Sequence, residues 1–300
     1  MTPLWRLSPD KVWTLDRPRL LAILNVTPDS FSDGGQLPTA QAVARAARDA
    51  IDAGADGLDI GGESTRPGAQ RVSASEQVAR VVPAIIAARR EVGDGPAITI
   101  DTTLEEVARQ ALDAGADAVN DVSAGTESRH MLTLCAQRRC AIVLMHRLAP
   151  PESDSYSTHY GRAGQASAPA YGDVVHEVGA YLSTRALAAL DAGVHCKSIC
   201  IDPGLGFGKT VAQNIELIER GAELACLGWP VLSGCSRKSF VGRAMNLPEG
   251  HHPRERAPGS VELALRHARP SPGVVGAHVL RVHDVALHAR ALRTAGLWPA

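Results

Sequence analysis

AITIDTTLEEVARQALDAGADAVND, residues 97–121, carries the fold in miniature. A short β-prone run, 97–100, stops at Asp101. Residues 104–114 then place apolar side chains at helical spacing, which predicts a helix. Asp113-Ala114-Gly115-Ala116-Asp117 closes that helix on a glycine, the residue suited to a left-handed cap. A second short run, Ala118-Val119, follows and stops at Asn120-Asp121. The segment reads as two parallel strands joined by a helical crossover.

The unit recurs in both directions. Asp52-Ala53-Gly54-Ala55-Asp56 repeats the pentapeptide, and Asp191-Ala192-Gly193-Val194 echoes it. Runs 20–24, 57–60, 141–144, 199–201, 230–232 and 274–280 each stop at polar residues. Their endings are Asn25, Gly61-Gly62-Glu63-Ser64-Thr65-Arg66, Met145-His146, Asp202, Ser233-Gly234 and Arg281-Val282-His283-Asp284. Helical patterns over 40–53, 75–92, 104–114, 128–138, 173–191, 211–225, 260–268 and 283–295 complete the alternation. Thr39 and Ser75 are placed to cap the first two. Eight alternations without a sign of strand-order reversal favour a closed α/β barrel over a doubly wound sheet. The expected organisation is one barrel domain, 20–300, after an extension, 1–19, that forms a lid or hairpin at its bottom. A barrel gathers the eight polar endings on one rim, where barrel enzymes do chemistry. Segments 147–172 and 247–259 read as exposed, mobile connections, the first a lid over that rim.

Bulk properties narrow the class. A net charge of −1 gives no electrostatic case for nucleic acid or an anionic membrane. No apolar run is long enough to span a bilayer, and the N-terminus lacks the order of a signal peptide. Six scattered cysteines form no C-x-x-C pair, which argues against zinc and for a reducing, cytoplasmic setting.

The rim residues point to ligand chemistry. Asn25 opens a long polar loop, 25–35, and offers Mg²⁺ a hard oxygen ligand; an ordinary capped turn is the alternative. In 61–68 the glycines allow close backbone approach, Arg66 suits an anion, and Pro67 presents a flat apolar face. Asp101, Asn120 and Asp202 end three different strands. Singly each is more often a helix cap; together they suit the paired N–H groups of an amidine-like heterocycle. Segment 202–210 ends in Gly-Lys-Thr, but Pro203 stands where a phosphate loop needs glycine, so that reading fails. Its glycines let Phe207 lie against a flat ligand. Ser236-Arg237-Lys238 opens a helix, a natural anion seat, and Lys238 can also donate to a ring nitrogen or carbonyl. Arg281 and His283 face one way on the last strand, in the usual phosphate seat of such barrels; an ion pair with Asp284 or a neighbouring carboxylate is the alternative. His146 reads as packed or hydrogen-bonded. No nucleophile–base pair stands out, so the inventory fits displacement of a phosphate-type leaving group.

These segments together closely resemble the dihydropteroate synthase family of pterin-binding enzymes. The resemblance rests on 24–35, 61–68, 100–102, 120–123, 144–146, 201–210, 236–240 and 281–285. It implies a TIM barrel, usually a homodimer. It implies a transferase that condenses 6-hydroxymethyl-7,8-dihydropterin pyrophosphate with p-aminobenzoate, with Mg²⁺, in folate biosynthesis. By resemblance Asp101, Asn120, Asp202 and Lys238 hold the pterin, with Met145 and Gly234 lining its slot. Asn25, Arg66, Arg281 and His283 hold the pyrophosphate, with Mg²⁺ at Asn25. Thr65, Pro67, Phe207, Ser236 and Phe31 shape the p-aminobenzoate site. Asp33 sits near the reacting methylene and joins Lys238, Arg281 and His283 as the catalytic set. The chain departs from the family at Met145-His146-Arg147-Leu148-Ala149, where Met-His-Met-x-Gly is common and the segment is shorter. It departs again at Val261-Glu262, on a surface that often builds the dimer. A pterin-binding methyltransferase barrel and a non-catalytic pterin-binding paralogue are the rivals. The joint presence of Ser236-Arg237-Lys238 and Arg281-Val282-His283, and the complete first loop, favour the synthase.

Overall fold

The computed structural model describes residues 3–27, 39–161, 166–269 and 274–299. β1 (Leu4–Ser8) and β2 (Lys11–Thr14) form an antiparallel hairpin. There follow β3 (Arg19–Asn25), α1 (Ala40–Asp52), β4 (Gly57–Gly61), α2 (Ala74–Val92), β5 (Ala97–Asp101), α3 (Glu105–Asp113), β6 (Ala118–Asp121), α4 (Met131–Arg138) and β7 (Ala141–Met145). The second half holds α5 (Val174–Asp191), β8 (Ile199–Asp202), α6 (Val211–Glu219), α7 (Gly221–Ala225), β9 (Leu232–Ser233), α8 (Ser239–Ala244), α9 (Ala257–Ala268), β10 (Val279–Val282) and α10 (Val285–Thr294). The eight-stranded parallel sheet runs β8-β7-β6-β5-β4-β3-β10-β9. A parallel bridge between Ile201 and Val231 brings its two ends together, and the Ile201 N–H donates to Pro230 O at 2.9 Å. The sheet is therefore a TIM-like barrel.

Local chemistry explains the elements. Gly54, Gly115 and Gly193, the glycines of the repeated segment, have φ of +107°, +109° and +94°. A side chain there would strain the backbone, so glycine turns each helix into the next strand. Thr39 caps α1, as its position predicts. Ser73, not Ser75, caps α2: it accepts the Glu76 N–H, and the helix starts at Ala74. β10 begins at Val279 rather than 274, because the chain first passes beneath β9. There the His278 and Val279 N–H groups both donate to Val231 O, at 2.8 and 3.1 Å. A 3₁₀ turn, Pro253–Arg256, leads into α9, which starts at Ala257 rather than 260.

The hairpin closes the end of the barrel opposite the polar rim. Trp5, Leu7, Trp13 and Leu15 share one apolar cluster with Leu21, Ala97, Ala118, Ala141, Val143, Leu232 and Val279. The alanines at the starts of β5, β6 and β7 leave room for the tryptophans, whose rings meet edge-on at 5.6 Å. Among the described residues no helix is long and apolar enough to cross a membrane.

Two buried histidines make this packing pH-sensitive. His267 on α9 meets Ser233 Oγ through Nδ1 at 2.9 Å, and His278 Nδ1 accepts the Val231 N–H at 3.2 Å. Burial pushes both rings from the ordinary 6.5 down to about 4. Because the folded values lie below the unfolded one, their contribution is complete above about pH 6.5 and lost as pH falls through about 4. Urea unfolding should show stability falling from about pH 6 to about pH 4. A pH slope unchanged in His267→Gln would remove His267 from the cause.

Candidate active site

Strand register builds the floor. Parallel pairing sets Asn25 beside Gly61, Gly61 beside Asp101, and Asp101 beside Asn120. Gly61 has no side chain, so Asn25 and Asp101 flank an open position. A Cβ there would lie 3.7 Å from Asn25 Oδ1 and 3.4 Å from Asp101 Cβ. On β4, two residues before Gly61, the fully buried Asp59 pairs with Thr99. It accepts hydrogen bonds from Thr99 Oγ1, from Asn120 Nδ2 at 3.1 Å and from Arg281 Nε at 2.5 Å. Arg281 Nη2 reaches Asp101 Oδ2 at 2.6 Å. One guanidinium thus joins two carboxylates inside the barrel. Burial pushes the Asp101 carboxyl up, against the pull of Arg281. Burial opposes the charge on Arg281, but Asp59 and Asp101 outweigh it and hold the guanidinium protonated.

Of the ion-pair partners the sequence leaves open to Arg281, Asp284 or a neighbouring carboxylate, the second occurs: Arg281 takes Asp59 and Asp101, while Asp284 takes Arg237 through contacts of 2.5 and 2.9 Å. Arg281 points into the barrel, whereas Asp284 lies beyond the end of β10. Asp59 was no candidate at all. Its signal was a carboxylate in the middle of an apolar run, a position that demands a cationic partner.

The opposite wall belongs to β7, β8 and the turns after β8 and β9. Asp202 Oδ1 accepts the Gly204 N–H at 2.7 Å, and a Cβ on Gly234 would stand 3.8 Å from Oδ2. Burial raises the Asp202 pKa, with Lys238 the chief opposing influence. Burial pushes Lys238 down to about 8, against the attraction of Asp202. The Lys238 ammonium lies 4.1 Å above the Phe207 ring and donates to Leu205 O. Phe207 packs with Met145 and Val122. Lys209, from the rejected Gly-Lys-Thr segment, is turned wholly inward. Its Nζ meets Phe207 O at 2.9 Å, Gly204 O at 3.0 Å and His146 Nδ1 at 3.0 Å. It fastens the turn that carries Phe207. His146 is packed, its ring edge-on to Tyr181 at 5.0 Å.

Above this floor opens one cavity of about 1200 Å³. Asn25, Thr65, Arg66, Pro67, Phe207, Gly234, Ser236, Lys238, Arg281 and His283 all line it. Asp101, Asn120, Met145 and Asp202 lie behind that surface and are 7%, 2%, 2% and 6% exposed. Phe31 and Asp33 fall outside the described residues. Ser236 Oγ stands 3.0 Å from His283 Nδ1 and accepts the His283 backbone N–H at 3.2 Å. Burial first, then Arg237 and Arg281, push the His283 ring down to about 3, so it is neutral. Among the described residues, eight arginines and lysines line the cavity against one carboxylate, Glu249. Such a lining is ready for an anion.

Asn25 supplies an oxygen donor at the edge of this basic wall. Among the described residues no group of three or more His, Cys, Asp or Glu is placed to hold a metal ion. A single amide oxygen does not cage Mg²⁺. It does fit an ion that arrives already bound to phosphate oxygens, the common mode for Mg²⁺.

Near its start the insertion after β7 is fastened to the loop after β4, where its composition suggests a mobile lid. Pro151 O accepts the Gly68 N–H at 2.8 Å, and Arg71 pairs with Glu127 at 2.6 Å and Glu152 at 3.1 Å. Its Pro151 and Ser157 are buried.

Comparisons with known proteins identify the family to which this barrel belongs. The family described as pterin binding enzyme matches residues 21–283. Over 283 residues the chain is 41% identical to the dihydropteroate synthase of Synechocystis sp., covering 94% of this chain and 91% of that protein. It superimposes on the Xanthomonas albilineans dihydropteroate synthase solved with 4-aminobenzoic acid, with a TM-score of 0.84, 40% identity and coverage of 99% and 98%. The same organism's enzyme in complex with 7,8-dihydropteroate gives a TM-score of 0.79 at 38% identity, covering 97% of each chain.

Proposed function

This chain belongs to the dihydropteroate synthases of the pterin-binding enzyme family, and we propose that its barrel mouth joins 6-hydroxymethyl-7,8-dihydropterin pyrophosphate to p-aminobenzoate, giving 7,8-dihydropteroate and pyrophosphate. One observation carries the residue-level reading. Arg281 stands between a floor of buried acceptors and a cavity lined by Asn25, Arg66 and His283. Acceptors on one side suit the N–H edge of a pterin; cations on the other suit a diphosphate.

In this reading Asp101, Asn120 and Asp202 take the pterin donors, and Lys238 donates to a ring nitrogen or carbonyl. Met145 and Gly234 bound the slot. p-Aminobenzoate carries a neutral aromatic amine, a weak nucleophile that needs no strong base. The demanding step is departure of pyrophosphate, on which negative charge grows. Arg66, Arg281 and His283 are preset donors to that charge, in a site where little solvent has to reorganise. Asn25, together with diphosphate oxygens, would hold Mg²⁺, which adds charge neutralisation at the leaving group. Thr65, Pro67, Phe207 and Ser236 bound the arylamine. The Ser236–His283 contact supports an arylamine wall directly beside the diphosphate seat.

The family relationship supports a homodimer, with Glu262 of α9 on the surface to examine. Six free cysteines, four of them buried, suit a reducing cytoplasmic setting. Residues 1–19 are then an extension to a barrel domain spanning 20–300.

A coupled assay for pyrophosphate tests the reading. Release should require p-aminobenzoate and Mg²⁺ together with the pterin substrate. Methyl transfer from methyltetrahydrofolate, with no pyrophosphate formed, would favour the methyltransferase alternative. Pterin binding without either turnover would favour the non-catalytic one.

A further inference from the structure

The described residues of the 147–172 insertion, 147–161 and 166–172, converge on one position of the neighbouring turn, Gly208. Asp154 Oδ2 accepts the Gly208 N–H at 3.1 Å, and the Tyr171 hydroxyl donates to Gly208 O at 3.3 Å. Leu148 lies so near that a Cβ on Gly208 would come within 2.9 Å of the Leu148 Cβ. Asp154 is itself held: its Oδ1 accepts the Tyr160 hydroxyl at 2.7 Å and the Ser155 N–H at 2.8 Å. Near its start, just before Asp154, the insertion grips the loop after β4 through Pro151–Gly68 and Glu152–Arg71. That loop carries Thr65 and Pro67; Gly208 adjoins Phe207. From inside, Lys209 holds the Phe207 carbonyl. The Phe207–Gly208 peptide is thus gripped from above and below.

We propose that the insertion is a strap that sets the spacing between the two walls of the arylamine slot, with Asp154 a positioning residue acting through Gly208 on Phe207. The assignment of that slot rests on the function proposed above. The turn 203–210 contains three glycines at positive φ, Gly204, Gly206 and Gly208, and has little stiffness of its own. Without the strap, binding the arylamine would have to order this turn, and affinity would fall by that cost. The strand-end residues Asp101 and Asn120 of the pterin floor do not touch this turn, and Asp202 and Lys238 meet it at Gly204, Leu205 and Phe207 rather than at Gly208, so the pterin should feel the strap less than the arylamine does.

Steady-state kinetics on the full chain, with each substrate varied in turn, test this. Asp154→Ala is expected to raise KM for p-aminobenzoate about tenfold, with KM for the pterin pyrophosphate and kcat changed less than about twofold. Asp154→Asn keeps an acceptor for the Gly208 N–H and should restore most of the loss. Tyr171→Phe should show the same split, more weakly, and serves if Asp154→Ala folds poorly. Equal changes in both KM values, or none, overturn the strap. Amide hydrogen exchange across 203–210 gives a reading independent of turnover: it should quicken in Asp154→Asn slightly and in Tyr171→Phe more clearly, and unchanged exchange in both overturns the proposal. A wild-type chain that does not turn over at all sinks the functional reading, while quickened exchange would still support the strap.

Discussion

Arg281→Ala is expected to cost about 3–5 kcal/mol of folding stability, besides activity, because it strands two buried carboxylates. Asp59 is fully buried and Asp101 nearly so, and this guanidinium contacts both. Its removal leaves Asp59 with Thr99 and Asn120 as donors and like charge close by. Asp101, already pushed up by burial and held down chiefly by Arg281, would then take up its proton further above its ordinary range. A folded pKa above the unfolded one stabilises the folded state as pH falls. The deficit relative to wild type should therefore shrink on acidification, measured by urea unfolding at several pH values. Adding Asp101→Asn to Arg281→Ala should recover part of the loss, because one stranded charge is gone. Affinity should fall more for the pterin pyrophosphate than for a pterin lacking phosphate. A variant as stable as wild type at neutral pH would show that the buried ion pairs do not compensate the acids.

That pairing also shows where sequence ceases to be legible. Parallel barrel strands are buried on both faces, so they read as short apolar runs, and their polar ends stand out against them. The eight endings and the glycine caps are readable for that reason; at 1–19 the sequence leaves a lid or a hairpin open, and the structure has the hairpin. Asp59 was hidden because it sits inside such a run, and only the energetic cost of a lone buried carboxylate points to it. Lys209 was hidden differently. Its segment looks like a phosphate loop, and rejecting that reading says nothing about where the lysine goes; the fold alone turns it inward to three carbonyl and ring acceptors. Segment 147–172 has the composition of a mobile loop, because its order comes from partners distant in sequence: Gly68, Arg71, Gly208 and Asn214. Such contacts leave no period to read. Ser73 and Ser75 show the local limit, since either serine can cap and only the start of the helix decides.

Asp202→Ala is expected to weaken binding of a phosphate-free dihydropterin by about 1–3 kcal/mol, roughly five- to 150-fold. The argument concerns unpaired groups. Asp202 is 6% exposed and its Oδ1 is committed to the Gly204 N–H at 2.7 Å. Oδ2 faces Gly234, where the missing side chain leaves an approach. A pterin edge seated there gives its N–H groups to this carboxylate; alanine leaves those donors desolvated with no acceptor. Asp202→Asn separates the hydrogen bond from the charge. Its amide can still accept the Gly204 N–H, but its NH₂ then confronts the pterin donors, so affinity should fall at least as far as in alanine. The asparagine variant also takes away the chief attraction that keeps Lys238 protonated, so the Lys238 pKa should drop below about 8. Isothermal titration calorimetry with a phosphate-free pterin isolates these effects from the diphosphate seat. Pterin affinity unchanged in both variants would remove Asp202 from the site, and with it the reading of the strand ends as the heterocycle's acceptors.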